Sequence, residues 1–173
     1  MLFLPVGEAP HREVEQDPGA EVRAQLCGYA VEGDPRFSVS RAEVERPGAS
    51  YSVDTLRLLT ERAPDDELTL LLGADQASRL PSWHEPEAVL SLARVAVAER
   101  EGMERTALVG RLEGLAGSEK VAFFDMPRVD ISSSMVRERC ASGRPIRYLV
   151  PRKVADHVEA LGLYGASTPV SAE

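Results

Sequence analysis

The chain is poor in the residues that build metal centres and disulfide frameworks: its 173 residues include two cysteines and three histidines. Cys27 and Cys140 lie far apart and neither belongs to a paired-cysteine motif, which excludes a zinc-finger spacing and a disulfide scaffold and leaves two ordinary thiols. Aromatic residues make up only 5% of the sequence, with a single tryptophan, Trp83. No apolar run approaches the roughly 20 residues that cross a bilayer, and the opening residues lack the basic segment and long apolar core of a secretion signal. The sequence therefore reads as a cytoplasmic protein with no membrane partner. Cations are outnumbered too: 20 Lys and Arg against 28 Asp and Glu give a formal net charge of -8. That balance argues against nucleic acid as a partner while leaving room for a local cationic pocket.

What is present suits an α/β enzyme domain. With 43% hydrophobic and 28% charged residues, the length fits one globular domain over residues 1–165, followed by a small, polar, flexible tail at 166–173. Met1-Leu2-Phe3-Leu4-Pro5 reads as a short buried strand. Asp17 to Val31 carries Val22, Leu26 and Tyr29 at helical spacing, with Asp17 as candidate N-cap and Pro18 in the first turn. Phe37-Ser38-Val39 reads as a strand, and Ser50 to Thr60 opens a second helix. Leu68 to Leu72 is nearly continuous in apolar residues, as a parallel strand covered on both faces would be. A helix near Glu85 to Leu92, a strand at Val95 to Ala98, a helix through Ala107 to Leu115 and a strand at Val121 to Phe124 follow. A further helix leads through Cys140 to Ser142-Gly143, and Pro151 starts a last one running to about Leu161. Strands alternating with helices predict a Rossmann-like, doubly wound parallel sheet.

The most informative segment is Ile131-Ser132-Ser133-Ser134-Met135-Val136-Arg137. Hydroxyls at a helix start, joined one turn later by a permanently charged guanidinium, form a cradle for an anion. A serine that merely caps the helix explains the same letters equally well. Pro81-Ser82-Trp83-His84 places the tryptophan in a loop before a helix, where one face could stack on a planar ring; a core anchor is the competing explanation. Gly73-Ala74-Asp75 ends a central strand, where open α/β sheets bind ligands. Gly73 would admit a ligand to the backbone and Asp75 could accept from ribose hydroxyls. Pro10-His11-Arg12 adds two potential cations at the same sheet edge. His157, in the last helix, reads as a surface residue.

In order, Phe3-Leu4-Pro5 with Pro10-His11-Arg12, Ser50-Tyr51-Ser52 with Asp54-Thr55-Leu56, Gly73-Ala74-Asp75, Pro81-Ser82-Trp83-His84, Ile131-Ser132-Ser133-Ser134 with Arg137, and Gly162-Leu163-Tyr164 resemble the bacterial nicotinate-nucleotide adenylyltransferases. The resemblance implies transfer of AMP from ATP to nicotinate mononucleotide, with Mg2+ assisting, and hence ATP and nicotinate mononucleotide as partners. It implies that Trp83 stacks on the nicotinate ring while Ser52 and the backbone near His84 hold its carboxylate. By the same resemblance Ser133, Ser134 and Arg137, with Arg12, hold ATP phosphates, Gly73 and Asp75 line the nucleotide cleft, and Arg100 lies near the adenine. A homo-oligomer is compatible with the sequence. Pantetheine-phosphate adenylyltransferases share a serine-rich segment before a terminal helix but not the Ser-Tyr-Ser or Pro-Ser-Trp-His segments.

Departures from the family pattern are His84, where tyrosine is more usual, and Glu99-Arg100-Glu101-Gly102, where a proline usually precedes the glycine. A larger one concerns the family's opening strand, its glycine-phenylalanine-aspartate-proline loop and a helix bearing paired histidines, none of which is matched within these residues. The first strand, catalytic loop and first helix are expected to be missing, with Met1 an internal methionine of a longer, active enzyme. The competing expectation is a catalytically inactive nucleotide-binding module.

Overall fold

The structure, a computed structural model, describes residues 1–9, 17–99 and 105–165; the expected tail lies outside them. Along the chain the elements are β1 (Leu2–Phe3), α1 (Ala20–Val31), β2 (Ser38–Val39), α2 (Ser52–Arg62), β3 (Thr69–Gly73), α3 (Ala74–Ala77), α4 (Pro86–Leu92), β4 (Arg94–Glu99), α5 (Arg105–Leu112), β5 (Val121–Asp125), α6 (Ser133–Ala141) and α7 (Arg152–Ala160), with short 3-10 turns at Leu80–Ser82, Ser118–Lys120 and Leu163–Gly165. All strand pairs are parallel, as strands joined through helices require. The chain divides into two compact units, one of Met1–Ser50 with Asp130–Glu173 and one of Tyr51–Val129.

In the unit of Tyr51–Val129 the sheet runs β3-β4-β5, with Leu70 opposite Val95 and Val95 opposite Val121. The period of two sends Val95 and Val97 of β4 to one face, where both are fully buried. Val53 and Leu56 of α2, Leu80, Val89 and Leu90 of α4, and Leu108 and Leu112 of α5 complete this core. Each such side chain contributes about 1.5–3 kcal/mol on burial. The opposite face is less covered than the near-continuous apolar run of β3 predicts: Leu71 keeps 45% and Phe124 39% of its surface exposed. Ala96, Ala98 and Ala122, which share that face, offer little side chain for a helix to pack against.

In the other unit β1 pairs with β2, Leu2 opposite Ser38 and Phe3 opposite Val39. The strand expected to be buried is instead open, with Leu2 and Phe3 about two-fifths exposed, and only Pro5 of the run is buried. Its one described strand neighbour is another two-residue strand, and the Phe3 ring meets that of Phe37 edge-on, 5.9 Å away. The loop beyond is held tightly. The amides of Gly7 and Glu8 both donate to Ser50 Oγ, at 3.2 and 3.3 Å, and Arg23 donates to the carbonyls of Val6 and Gly7.

The start of α1 differs from expectation. Gly19, at φ 89°, occupies the N-cap, and Asp17 sits two residues earlier, accepting from the Gly19 amide and ion-pairing with Arg23. A positive φ that glycine alone adopts freely fixes the helix entry there, so the aspartate supports the turn rather than the cap. A second core gathers Cys140, Ile146, Ala155 and Val158 with Leu26 of α1. His157 is not a plain surface residue: its Nε2 lies 3.2 Å from Gln25 Oε1 and its ring 5.0 Å from that of Tyr29, joining α7 to α1. Among the described residues no helix is long and apolar enough to cross a membrane.

Candidate functional site

The serine segment becomes the start of α6 with its roles divided. Ser132 is the N-cap, and its side chain accepts from the Met135 amide at 3.1 Å. That satisfies one of the donors a helix start leaves over. Ser133 and Ser134 occupy the first turn, exposed, with their amides where a helix has no carbonyl of its own to offer them. Arg137, one turn on and half-buried, donates from Nη2 to Ser134 Oγ at 3.2 Å. The capping and anion-cradle readings of this segment are thus compatible, because different serines carry them. Tyr164, held at φ 57° in the closing 3-10 turn, packs with Val136 against the second core. Burial pushes its phenol above the ordinary range, with the nearby Arg137 guanidinium acting in the opposite direction.

In the unit of Tyr51–Val129, Ser52 is the first residue of α2. Gly73 is the last residue of β3, opposite Ala98, and Asp75 lies exposed in the first turn of α3. A Cβ at Gly73 would meet Asp75 Oδ1 at 2.9 Å, so the glycine lets the carboxylate fold back over the strand end. Both therefore stand at the carboxyl end of a parallel strand, the edge where such sheets take ligands.

Trp83 follows the 3-10 turn at Leu80–Ser82, its amide bonded to the Leu80 carbonyl at 3.0 Å. It is half-buried and packs against the core of this unit, so it anchors the loop and still presents surface outward. The next residue, His84, is half exposed and sets its ring 4.5 Å from that of Tyr51, tilted by 38°. The structure thus brings the Pro-Ser-Trp-His segment against the residue preceding Ser52, an approach that sequence spacing does not reveal.

Two further residues tie this arrangement down and were not singled out from the sequence. Glu85 accepts from both Nη atoms of Arg57, at 3.1 and 2.7 Å, and that pairing lowers the Glu85 carboxyl below its ordinary range. Arg57 also lies 3.5 Å from Asp54, and His84 Nε2 lies 3.4 Å from Glu85 Oε1. The Asp54 to Arg57 spacing is legible in the sequence as a helical i,i+3 pair; the Glu85 partner, 28 residues away, is not. Arg12 and Arg100 fall outside the described residues. Among the described residues no three His, Cys, Asp or Glu side chains gather to hold a metal ion.

The cytidylyltransferase-like family model matches residues 1–139. A relative from Geobacillus thermodenitrificans, named a probable nicotinate-nucleotide adenylyltransferase, is 38% identical over 169 residues, covering 98% of this chain and 74% of its own. The nicotinate-nucleotide adenylyltransferase of Bacillus subtilis is 33% identical over 162 residues, covering 94% of this chain and 80% of its own. Among solved structures, the nicotinic acid mononucleotide adenylyltransferase of Plasmodium falciparum complexed with NaAD superposes with a TM-score of 0.72 at 14% identity, over 96% of this chain and 82% of that one. On the fold, the ordered motifs and these matches, the chain belongs to the nicotinate-nucleotide adenylyltransferases, within the cytidylyltransferase-like family.

Proposed function

We propose that this chain serves the transfer of AMP from ATP to the phosphate of nicotinate mononucleotide, giving nicotinate adenine dinucleotide and pyrophosphate in NAD synthesis. The observation that carries the proposal is the extent of the match: a relative bearing this activity's name aligns with 169 of the 173 residues at 38% identity. At most four residues therefore stand outside the aligned span.

The chemistry asks for positioning and charge neutralisation, since one phosphate oxygen attacks another phosphorus in line and no covalent nucleophile is needed. In this reading Trp83 stacks on the nicotinate ring, with Ser52 and the backbone at His84 on its carboxylate. Ser133, Ser134 and Arg137 hold ATP phosphates, assisted by Arg12. Gly73 and Asp75 line the nucleotide cleft and Arg100 lies beside the adenine. The donor set of α6 fits a polyphosphate: exposed hydroxyls, first-turn amides and a guanidinium already oriented by Ser134. Mg2+ is part of the proposal as the ion that neutralises the triphosphate. In this reading the ion is carried largely by substrate oxygens and water, as magnesium commonly is.

Titration against Trp83 fluorescence tests the substrate assignment, because no other tryptophan contributes. Quenching by nicotinate mononucleotide is expected. Quenching by phosphopantetheine alone would move the chain to the pantetheine-phosphate adenylyltransferases, and the absence of any response to either would remove the stacking role.

A further inference from the structure

We infer that the Arg57–Glu85 pair is a positioning device that sets nicotinate mononucleotide affinity by fixing the Trp83-His84 segment to α2. The inference rests on the reading of Trp83 as the nicotinate-stacking residue, and its test separates the two.

Glu85 is the N-cap of α4 and lies in the left-handed region, at φ 48° and ψ 60°. A non-glycine residue adopts that conformation at a cost, and here the cost is incurred directly before Pro86, where ordinary helical backbone is also disfavoured. Such a position persists when its surroundings over-determine it. The surroundings here are specific. The two guanidinium nitrogens of Arg57 meet the two carboxylate oxygens of Glu85 one to one, at 3.1 and 2.7 Å. This planar, two-point geometry restricts orientation in a way a single point charge cannot. Arg57 is itself aimed by Asp54 of its own helix, at 3.5 Å.

The consequence falls on the neighbours. Trp83 and His84 immediately precede Glu85, and Ser52 stands on the same helix as Arg57. The pair is therefore a clasp between the segment carrying the aromatic ring and the helix carrying the serine. His84 continues the clasp, with Glu85 Oε1 3.4 Å from its Nε2 and the Tyr51 ring 4.5 Å away. The opposite end of the loop is anchored separately by Leu80, which is fully buried in the core. With Leu80 fixed and Trp83 packed on the core, release of Glu85 loosens the orientation of His84 and of the outward part of the Trp83 ring without unfolding the unit.

Arg57 also has its charge answered by two carboxylates, which marks it as a positioning residue and not a partner for the substrate carboxylate. Breaking the pair should weaken nicotinate mononucleotide binding by roughly two- to fivefold, the scale of an exposed ion pair, and leave ATP binding unchanged.

The test is calorimetric titration of the full-length protein with nicotinate mononucleotide and, separately, with ATP. The variants are Arg57→Ala, Glu85→Gln, the exchange Arg57→Glu with Glu85→Arg made together with Asp54→Asn so that no carboxylate faces the new glutamate, and Trp83→Ala as control. Glu85→Gly, which accepts a positive φ freely while removing the carboxylate, covers the case in which Arg57→Ala does not fold. The expected result is weaker nicotinate mononucleotide binding in the single variants, unchanged ATP binding, and recovery in the exchange. If Trp83→Ala weakens nicotinate mononucleotide binding and the Arg57 and Glu85 variants do not, the positioning role is overturned. Equal weakening toward both ligands would also overturn it, as the mark of a general structural role. If Trp83→Ala changes nothing either, the stacking reading itself fails and the inference falls with it.

Discussion

Arg137 donates to Ser134 Oγ at 3.2 Å, one turn into α6, while Ser132 alone caps the helix. The guanidinium is thereby held beside the first-turn amides, the preorganised arrangement that the proposed phosphate role of α6 requires. Replacing Arg137 by alanine in the full-length enzyme should lower kcat/KM on the order of a hundredfold, and lysine should recover only part of it because the fork is lost. Steady-state kinetics check this. Ser132→Ala should behave differently: a loss of about 1 kcal/mol of stability, the usual cost of a cap, measured by chemical denaturation.

Gly7 has no room for a side chain. A Cβ there would stand 2.1 Å from the Glu43 carbonyl oxygen and 3.0 Å from Ser50 Oγ, and backbone cannot yield as a flexible side chain does. Gly7→Ala should therefore cost roughly 1–3 kcal/mol. Ser50→Ala should cost a similar ~1–3 kcal/mol, because two amides lose their shared acceptor. Urea denaturation of each variant measures both.

Leu80 is fully buried one turn before Trp83. Leu80→Ala should destabilise the protein by roughly 2–5 kcal/mol and broaden the Trp83 emission response to nicotinate mononucleotide. Val97→Ala, a deletion elsewhere in the same core, should lower stability without that second effect. Thermal melts and fluorescence titrations on the two variants separate loop anchoring from general loss of packing.

Acid should weaken the entry to α1. The hydrogen bond from Arg23 is the main influence on Asp17 and holds its carboxyl below the ordinary value of 3.8. A depressed folded-state value means the contribution is present above pH 3.8 and is lost as pH falls through the lower value of the folded protein. The pair is partly exposed, so the effect should be small and screened by salt. Comparing the melting temperatures of wild type and Asp17→Asn between pH 5 and 2.5 tests it: the difference should shrink toward the acid end.

Much of this architecture is legible in the sequence, because it rests on local signals. The period-two pattern of Val95 and Val97, the serine run before Val136, and the glycine at the end of β3 each specify an element from neighbouring residues alone. The failures have a common cause. Met1 to Pro5 reads as buried because apolar letters do not report how many strands lie alongside, and Leu71 reads as covered because the alanines across its face belong to other strands. Asp17 reads as a cap because the left-handed Gly19 two residues later is not marked by composition. Of the candidate residues, the place of Trp83 in the loop before α4 and of the serines at the start of α6 is legible, whereas the Tyr51–His84 contact and the Arg57–Glu85 fork arise from tertiary approach across about 30 residues. Arg12, read as a cation at the sheet edge, and Arg100, placed by the family resemblance, lie outside the described residues.

The central claim is adenylyl transfer to nicotinate mononucleotide, and 31P NMR of the full-length protein with Mg2+, ATP and nicotinate mononucleotide tests it most directly. The account predicts matched growth of pyrophosphate and of the dinucleotide diphosphate resonances as ATP and nicotinate mononucleotide decline. Unchanged nicotinate mononucleotide beside adenylylation of phosphopantetheine in a parallel sample would contradict it.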